Sequence, residues 1–365
     1  MSMTSPYSLQ VTPLFRYGVL SLILISGCGR EESSEDKCCI SGPLPQGVDI
    51  KSGQGALQVE GNTSVNFYVL DKSEKQISYQ SLNQPLALDP GEYRVKVNDS
   101  FHPVVITEGM LTTCSTGTLL VKGTTPENYY VLNSAQQQLT YEVLGKETSF
   151  FISSLLVKVN NSKVKAEVKL KEVTEIQTGT ITVHGTTGEN YYVLDGTGAQ
   201  LGYNTLEKPL AFLPGSYAVK VNNSLINTTV AAGQLSELTT GTLLVKGLTD
   251  ENYYVLDSAG TQLGYQSLNK PLAFFPGEYR IKVNNSFTNG RVVQAQTAEY
   301  ATGSLVVPGK GEENYYVLDA SGSQLGYNSC NKPLSFFPAE YSVRLGQVTN
   351  KATVTAGQQA TVKVK

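Results

Sequence analysis

The sequence has no tryptophan, two histidines and three methionines, and only 16% of its residues are charged. So few histidines leave little material for histidine-based metal sites or catalytic triads. Lys plus Arg number 28 and Asp plus Glu number 31, which gives a net charge of −3. That balance provides neither a basic field for nucleic acid nor an acidic tail for a basic partner. The abundant Gly and Tyr, 34 and 21 residues, are instead typical of an extracellular β protein.

Long apolar runs are also missing, apart from one near the N-terminus. Arg16 precedes an apolar run at residues 17–25, which ends at Ser26 and Gly27. The run is shorter than the roughly 20 residues of a membrane-spanning helix and has the length of a signal-peptide core. The sequence "ISGC" at residues 25–28 resembles the lipobox of bacterial lipoproteins. An ordinary secretory signal followed by a chance cysteine is the alternative.

The lipobox resemblance implies a signal peptide at residues 1–27 and lipids, including palmitate, on Cys28. Several acyl chains would anchor the chain durably, whereas one would hold it marginally. Gly29 stands where an aspartate would resemble an inner-membrane retention signal, so the outer membrane is favoured, with its periplasmic or surface face left open. Residues 28–54 are predicted to be the lipidated cysteine and a flexible linker, because residues 29–47 are rich in Ser, Glu, Pro and Gly.

The rest of the chain is a repeat with a period of 62 residues. "ENYYVLD" occurs at residues 189–195, 251–257 and 313–319, with "ENYYVLN" at 127–133 and "VNFYVLD" at 65–71. The period predicts five repeats without linkers between them. Their predicted bounds are 55–116, 117–178 (a divergent copy), 179–240, 241–302 and 303–365.

Short alternating strands dominate each repeat. In "EYRIKV" at residues 278–283, Tyr279, Ile281 and Val283 lie on one side of the strand and the charged residues on the other. The preceding "FPGE" predicts a type II turn with glycine at its third position, and the following "VNNS" predicts a tight hairpin with left-handed asparagine. We therefore predict an all-β protein of five tandem small antiparallel β-sandwich domains, each with six or seven strands.

These motifs resemble the PEGA domain, a bacterial extracytoplasmic β-sandwich module. The resemblance rests on "YYVLD…G…LGY", the following "KPL" and the Pro-Gly-x-Tyr turn, and it covers all five repeats. "TTPEN" or "LTDEN" replaces the small-residue segment of the family. The resemblance implies a role in the cell envelope or on the surface and brings no catalytic residues. A transthyretin-like or immunoglobulin-like sandwich would fit the same strand pattern.

Both sides of the aromatic strand are apolar. We interpret one side as core and the other as inter-sheet or inter-domain packing. Tyrosine rings also stack on sugars, so a glycan platform is the alternative. The tyrosines concerned are Tyr68, Tyr130, Tyr192, Tyr254 and Tyr316. A row of cations occupies the outer side of a later strand and could follow a polyanion or be a solvated face: Lys96, Lys158, Lys220, Lys282 and Arg344.

The remaining polar residues predict no catalytic or metal site. Asp71, Asp195, Asp257 and Asp319 precede turns and are expected to cap them, and neither His102 nor His184 has partners in the sequence. Cys114 and Cys330 replace apolar residues of other repeats and are predicted to behave as small buried hydrophobes. Cys38 and Cys39 fall in the linker, where a vicinal or intermolecular disulfide is open to them.

The expected function is non-enzymatic and requires no cofactor. We expect a lipid-anchored cell-envelope protein that serves as an extended stalk, scaffold or adhesion spacer. The alternative is a multivalent binding protein for peptidoglycan or surface polysaccharide. A third reading has a partner strand add to an exposed sheet edge. The membrane, through the lipid, and a glycan or an envelope protein are the expected partners, and nucleic acid is not.

Overall fold

A computed structural model of the protein describes residues 38–151, 153–310 and 312–364. The predicted signal peptide and the lipid-bearing Cys28 lie outside these residues. The regular elements of the described residues are strands, and no helix occurs among them. The all-β prediction is therefore confirmed. No helix of the described part is long and apolar enough to span a bilayer.

Each repeat contains seven strands, and repeat 1 is preceded by one more. The preceding strand is β1 (Cys39–Pro43). Repeat 1 contains β2 (Gly55–Glu60), β3 (Asn66–Leu70), β4 (Gln76–Ser81), β5 (Leu86–Leu88), β6 (Gly91–Val97), β7 (Ser100–Ile106) and β8 (Met110–Ser115). Repeat 2 contains β9 (Gly117–Lys122), β10 (Asn128–Leu132), β11 (Gln138–Val143), β12 (Glu147–Phe150), β13 (Ser153–Val159), β14 (Ser162–Val168) and β15 (Val173–Gln177).

Repeats 3 to 5 keep the same strand spacing. Repeat 3 contains β16 (Gly179–His184), β17 (Asn190–Leu194), β18 (Gln200–Thr205), β19 (Leu210–Phe212), β20 (Gly215–Val221), β21 (Ser224–Val230) and β22 (Leu235–Thr239). Repeat 4 contains β23 (Gly241–Lys246), β24 (Asn252–Leu256), β25 (Gln262–Ser267), β26 (Leu272–Phe274), β27 (Gly277–Val283), β28 (Ser286–Val292) and β29 (Thr297–Ala301). Repeat 5 contains β30 (Gly303–Val306), β31 (Asn314–Leu318), β32 (Gln324–Ser329), β33 (Leu334–Phe336), β34 (Ala339–Leu345), β35 (Val348–Val354) and β36 (Gln359–Thr361).

The seven strands form two facing sheets. In repeat 3 the smaller sheet has the order β19-β16-β22 and the larger has the order β18-β17-β20-β21. Pairing is antiparallel except between the first and seventh strands of each repeat, which run parallel. This grouping differs from the immunoglobulin sandwich, whose first, second, fourth and fifth strands share one sheet. The immunoglobulin-like alternative is therefore wrong.

The sheets enclose one apolar core per repeat. Tyr253, Val255, Ile281 and Val283 form part of the core of repeat 4, where the side chain of Tyr253 is 0% exposed. Its hydroxyl donates hydrogen bonds to the carbonyl oxygens of Lys270, at 2.7 Å, and Leu243, at 3.3 Å. The buried hydroxyl thus has partners, as burial of a polar group requires. The first tyrosine of the motif is a core residue, as predicted.

The turns match the sequence prediction in one case and differ in the other. Asn222 and Asn284 adopt the left-handed φ of 51° that the hairpin requires. The Pro-Gly segment does not form the predicted type II turn, because Gly215 and Gly277 begin strands and have no positive φ. A Cβ at Gly215 would lie 3.3 Å from the hydroxyl of Tyr217, so the glycine leaves room for that ring.

The segment before repeat 1 is more ordered than its composition predicts. Cys39–Pro43 forms β1, which pairs antiparallel with β8, and Cys39 forms a disulfide with Cys114. The interpretation of residues 29–47 as an unordered tether is thus wrong for this strand, and that of Cys114 as an unbonded hydrophobe is wrong as well. Backbone hydrogen bonds to the open edge of β8 stabilise a segment that has little apolar surface of its own.

Neighbouring repeats share core residues. In repeats 2 to 5, the residue that follows the fourth strand packs into the core of the preceding repeat. The four residues are Phe151, Leu213, Phe275 and Phe337. Each donates its backbone N–H to a serine hydroxyl of the preceding repeat at 3.1–3.2 Å, namely Ser100, Ser162, Ser224 and Ser286.

A carboxylate completes the last three junctions. Glu189 accepts hydrogen bonds from the backbone N–H of Ala273, at 2.6 Å, and from the side-chain amide of Asn222, at 2.7 Å. Asn222 also donates to the carbonyl oxygen of Ala273 at 2.8 Å. Glu127 and Glu251 make the equivalent contacts, whereas repeat 1 carries Val65 at this position. The glutamate of "ENYYVLD" therefore joins one repeat to the next.

Candidate functional site

The second tyrosine of each aromatic strand faces outward from the larger sheet. In repeat 3, Tyr192 lies on β17 between Tyr203 of β18 and Lys220 of β20, each its direct cross-strand partner. Directly opposed residues on one side of a sheet are close enough for their side chains to interact. The same three positions recur in every repeat, and we call each set a tyrosine–cation cluster.

The five clusters share one geometry. The two tyrosine rings have centroids 5.8–6.1 Å apart and interplanar angles of 25–33°. The cation lies 4.6–5.7 Å from the centroid of the central ring. The clusters are Tyr68–Tyr79–Lys96, Tyr130–Tyr141–Lys158, Tyr192–Tyr203–Lys220, Tyr254–Tyr265–Lys282 and Tyr316–Tyr327–Arg344.

This placement corrects one part of the sequence interpretation. The outward tyrosines pack against a tyrosine and a cation of their own sheet, on the side away from the core, rather than against the opposite sheet. In each repeat, the predicted tyrosine and the predicted cation are direct cross-strand neighbours. The third member, the tyrosine of the third strand, was not predicted as a site residue. It ends the segment "ISY" in repeat 1, "LTY" in repeat 2 and "LGY" in repeats 3 to 5.

The third-strand tyrosine of each cluster is exposed. Tyr203 and Tyr265 are each 58% exposed, and their equivalents in the other repeats are similar. Rings exposed to this extent are accessible to a ligand. Tyr–Tyr and cation–π contacts of this kind are each worth about 0.5–1.5 kcal/mol, so they favour this orientation of the rings.

Adjacent clusters line the same groove at a junction. The groove between repeats 2 and 3 is lined by Tyr130 and Lys158 from one side and Leu201 and Tyr203 from the other, and has a volume of about 530 Å³. The junction glutamate, Glu127, lies in the same groove. Ring faces, a cation and hydroxyl groups are thus within reach of one extended ligand.

The other polar residues act in turns and ion pairs. The Asp195 carboxylate accepts hydrogen bonds from the backbone N–H groups of Thr197 and Ala199, and the Thr197 hydroxyl, the largest contributor, lowers the pKa of that carboxyl. The predicted turn-capping role of these aspartates is confirmed. His184 contacts Glu207 at 2.8 Å and Glu237 at 3.4 Å on the surface, and the hydrogen bond to Glu207 raises the pKa of His184.

One cluster of metal-ligating types occurs in the described part of the chain, formed by Cys38, Cys39 and His102. His102 has no recognisable partner in the sequence, because the cysteines precede it by more than 60 residues. Pairing of β1 with β8 brings them together. Burial lowers the pKa of His102.

No protein-family model matches the chain, so the resemblance to the PEGA domain stays a prediction. No curated protein matches it either.

Several solved structures of bacterial proteins show a weak likeness to the chain. The Bacillus anthracis TIE protein is 12% identical, with 67% of each chain covered and a TM-score of 0.16. The pilus adhesin SpaC from Lactobacillus rhamnosus GG, in its open conformation, is 11% identical over 89% of this chain and 56% of its own, with a TM-score of 0.16. The major pilin BcpA of Bacillus cereus is 10% identical over 86% of this chain and 99% of its own, with a TM-score of 0.14. Likenesses this weak carry no argument about function.

Proposed function

We propose that the protein is a non-enzymatic, lipid-anchored cell-envelope protein in which the five sandwiches form a stiff spacer or scaffold. The observation that carries this proposal is the junction between repeats. Each of repeats 2 to 5 inserts a side chain into the preceding core and donates a backbone N–H to a serine hydroxyl across the boundary. A repeat of about 60 residues is marginal by itself, so sharing cores along an array favours a single cooperative body over separately moving domains.

The address of the proposed spacer comes from the sequence. The "ISGC" motif supports lipid attachment at Cys28 and placement in the outer membrane, with a PEGA-like role in the envelope. Cys39–Pro43 pairs with repeat 1, so this strand is not part of the proposed tether.

Palmitate labelling tests the anchor. Cells that express the full chain are labelled with a palmitate analogue and fractionated, beside Cys28→Ser and Cys330→Ser variants. Label and membrane association should disappear in Cys28→Ser alone. Label that survives in Cys28→Ser would refute lipidation at this residue.

Changing the number of repeats tests the spacer. Removing residues 179–240 joins repeat 2 to repeat 4, and the new junction keeps its chemistry because Ala273 and Phe275 replace Ala211 and Leu213. The purified lipidated protein in detergent should lose about 25–30 Å of maximum dimension by small-angle scattering, the diameter of one compact unit of this size. An unchanged maximum dimension would rule out a linear spacer.

A second function is favoured by a specific observation, the exposed ring of every tyrosine–cation cluster. A multivalent binding protein for peptidoglycan or surface polysaccharide would use weak, repeated sites whose affinities add through effective concentration. Tyrosine rings stack on the apolar faces of sugars, and their hydroxyls hydrogen-bond to them. The cation in each cluster favours a glycan that carries acidic groups.

Co-sedimentation with purified sacculi and surface polysaccharide distinguishes the two functions. Replacing Tyr203, Tyr265 and Tyr327 by serine should reduce saturable binding in steps, whereas phenylalanine at the same positions keeps the rings and should retain most of it. A pure spacer would show no saturable binding in the parent protein. Identical binding by the serine variant and the parent protein would show that the tyrosine–cation clusters are not the glycan-binding sites.

A further inference from the structure

Repeat 1 contains a group of sulfur and imidazole side chains that the other repeats lack. Cys39 and Cys38 lie at the start of β1, Cys114 lies on β8 and His102 lies on β7. Repeat 3 has Ile226 and Leu238 at the positions of His102 and Cys114. A sandwich of this type therefore folds without these side chains. The disulfide accounts for Cys39 and Cys114, which leaves the placement of Cys38 and His102 beside it to be explained.

The donor atoms of this group converge. The sulfur atoms of Cys38 and Cys39 and a ring nitrogen of His102 all lie within 4.8 Å of one another. Cys114 adds a fourth donor, since its sulfur is bonded to that of Cys39. The Cys38 thiol donates a hydrogen bond to the carbonyl oxygen of Ser115 at 3.4 Å.

The group is partly buried, with Cys39 and His102 half-exposed. The Cys38 side chain is 8% exposed and that of Cys114 is 0% exposed. The ring of Phe151, which comes from repeat 2, lies 5.5 Å from the His102 ring. Phe151 is itself held by its backbone N–H bond to Ser100. The cluster is thus covered by the first junction between repeats.

We propose that reduction of the Cys39–Cys114 disulfide opens a metal site in which Cys38, Cys39, Cys114 and His102 bind a thiophilic cation, Zn²⁺ or Cu⁺. Three thiolates and one imidazole form a donor set of closed structural zinc sites, and soft sulfur ligands also select Cu⁺. Donor atoms around tetrahedral zinc lie about 3.5–3.8 Å apart, given bonds of about 2.0–2.3 Å. Cys38, Cys39 and His102, whose donor atoms lie within 4.8 Å of one another, reach that arrangement with small side-chain movements. The Cys114 sulfur, released from its bond to Cys39, would move away from the Cys39 sulfur to the fourth position.

The chemistry balances with an external dithiol as the reductant. The dithiol supplies two electrons and two protons, the Cys39–Cys114 bond breaks to give two thiols, and the dithiol becomes a disulfide. The incoming cation then displaces the thiol protons to solvent, because the thiolate is the ligand. β1 remains linked to β8 in both states, by the disulfide when oxidised and by the metal when reduced.

Metal titration of the full-length protein in detergent tests this proposal. The protein is reduced with a dithiol, desalted without oxygen and titrated with Zn²⁺ against a chromophoric chelator, and with Cu⁺ against a Cu⁺-specific chelator. Co²⁺ serves as a spectroscopic probe, since thiolate ligation gives an intense charge-transfer band. One equivalent should bind to the reduced protein and none to the oxidised protein.

Matched variants locate the site. Cys38→Ser and His102→Val should each weaken binding at least about 100-fold, a loss no smaller than that seen when an outer-shell partner is removed. His102→Val places at this position the residue that repeat 2 carries, Val164, so the fold should tolerate it. Cys330→Ser removes a thiol in repeat 5 and should leave binding unchanged.

Three results would overturn the proposal. The reduced protein could bind no equivalent, the oxidised protein could bind as tightly, or the Cys38 and His102 variants could bind as the parent does. Thermal unfolding of the oxidised variants is measured in parallel, so that a variant that fails to fold is recognised and the remaining one decides.

Discussion

The carboxylate of Glu251 in repeat 4 accepts a hydrogen bond from the backbone N–H of Ser335 in repeat 5 at a distance of 2.6 Å. The contact spans 84 residues of sequence. It recurs 62 residues earlier, between Glu189 and Ala273, and once more between Glu127 and Ala211. A repeated side chain that satisfies the backbone of the next unit makes the array dependent on its neighbours.

Removing the junction carboxylate should loosen one junction selectively. Glu189→Ala leaves the backbone N–H of Ala273 without its acceptor and should cost about 1–3 kcal/mol of stability. Hydrogen exchange should show faster exchange of residues 272–275, and denaturant unfolding should shift to lower concentration. Glu278→Ala removes an exposed carboxylate with a surface ion pair and should have little effect. Equal effects of the two variants would contradict a special role for the junction.

The core tyrosine should be sensitive to loss of its hydroxyl. Tyr253→Phe removes hydrogen bonds to Lys270 and Leu243 and should cost about 1 kcal/mol in denaturant unfolding. Repeat 1 has Phe67 at this position, so the ring alone is compatible with the fold. Tyr265→Phe, on the exposed side, should change stability by less than about 0.5 kcal/mol. If Tyr253→Phe left the free energy of unfolding unchanged, the hydroxyl would not contribute to the stability of the core.

Alkaline pH should lower the stability of the fold through Tyr129, the residue of repeat 2 that is equivalent to Tyr253. Burial, the largest cause, raises the pKa of Tyr129 to about 12, above the value near 10 of an unfolded tyrosine. The unfolded chain therefore loses its proton first, and the stability that Tyr129 contributes is complete below about pH 10 and falls as pH rises towards 12. The slope should be at most about 1.4 kcal/mol per pH unit for this group.

Unfolding measured between pH 9 and 12 should have a shallower dependence on pH in Tyr129→Phe than in the parent. Tyr141→Phe, which alters an exposed ring, serves as the control and should keep the parental slope. A parental slope in Tyr129→Phe would show that this tyrosine does not govern the alkaline transition.

The first glycine of each repeat should resist substitution because the backbone passes too close for a side chain. A Cβ at Gly241 would lie 2.1 Å from the carbonyl oxygen of Val293. Gly241→Ala should therefore cost about 1–3 kcal/mol by overpacking. Gly188→Ala is the matched control, since nothing lies within 4 Å of a Cβ at that position. Thermal unfolding of both variants is the measurement, and a stable Gly241→Ala would refute the close approach.

The disulfide should stabilise the first repeat. Cys39 and Cys114 are separated by 75 residues, and closing a loop of this length restricts the unfolded chain by about 2–4 kcal/mol. Cys39→Ser should lower the stability of repeat 1 by that amount and increase hydrogen exchange in β1 and β8. Cys330→Ser should leave both unchanged, and unaltered exchange of β1 in Cys39→Ser would mean that strand pairing alone holds the segment.

Much of the fold follows from local patterns. Period-two alternation gave the strands around Tyr279 and Ile281, and asparagine after a strand gave the left-handed hairpin at Asn284. The Pro-Gly turn was wrong, because Gly277 is needed to make room beside the Tyr279 ring rather than for a positive φ. Sequence pattern records that a glycine is required but not which neighbour requires it.

The sequence by itself determined the 62-residue period with its five copies, the all-β class, the core role of the first tyrosine in "ENYYVLD" and the turn-capping role of its aspartate. Those features depend on contacts within a few residues or on alternation along one strand. Only the tertiary structure decided that Glu189 joins two repeats, that Tyr192, Tyr203 and Lys220 share one surface, and that Cys39 reaches Cys114. These contacts bridge residues 11 to 84 positions apart, and their partners are chosen by sheet order and by docking of repeats, which no local pattern encodes.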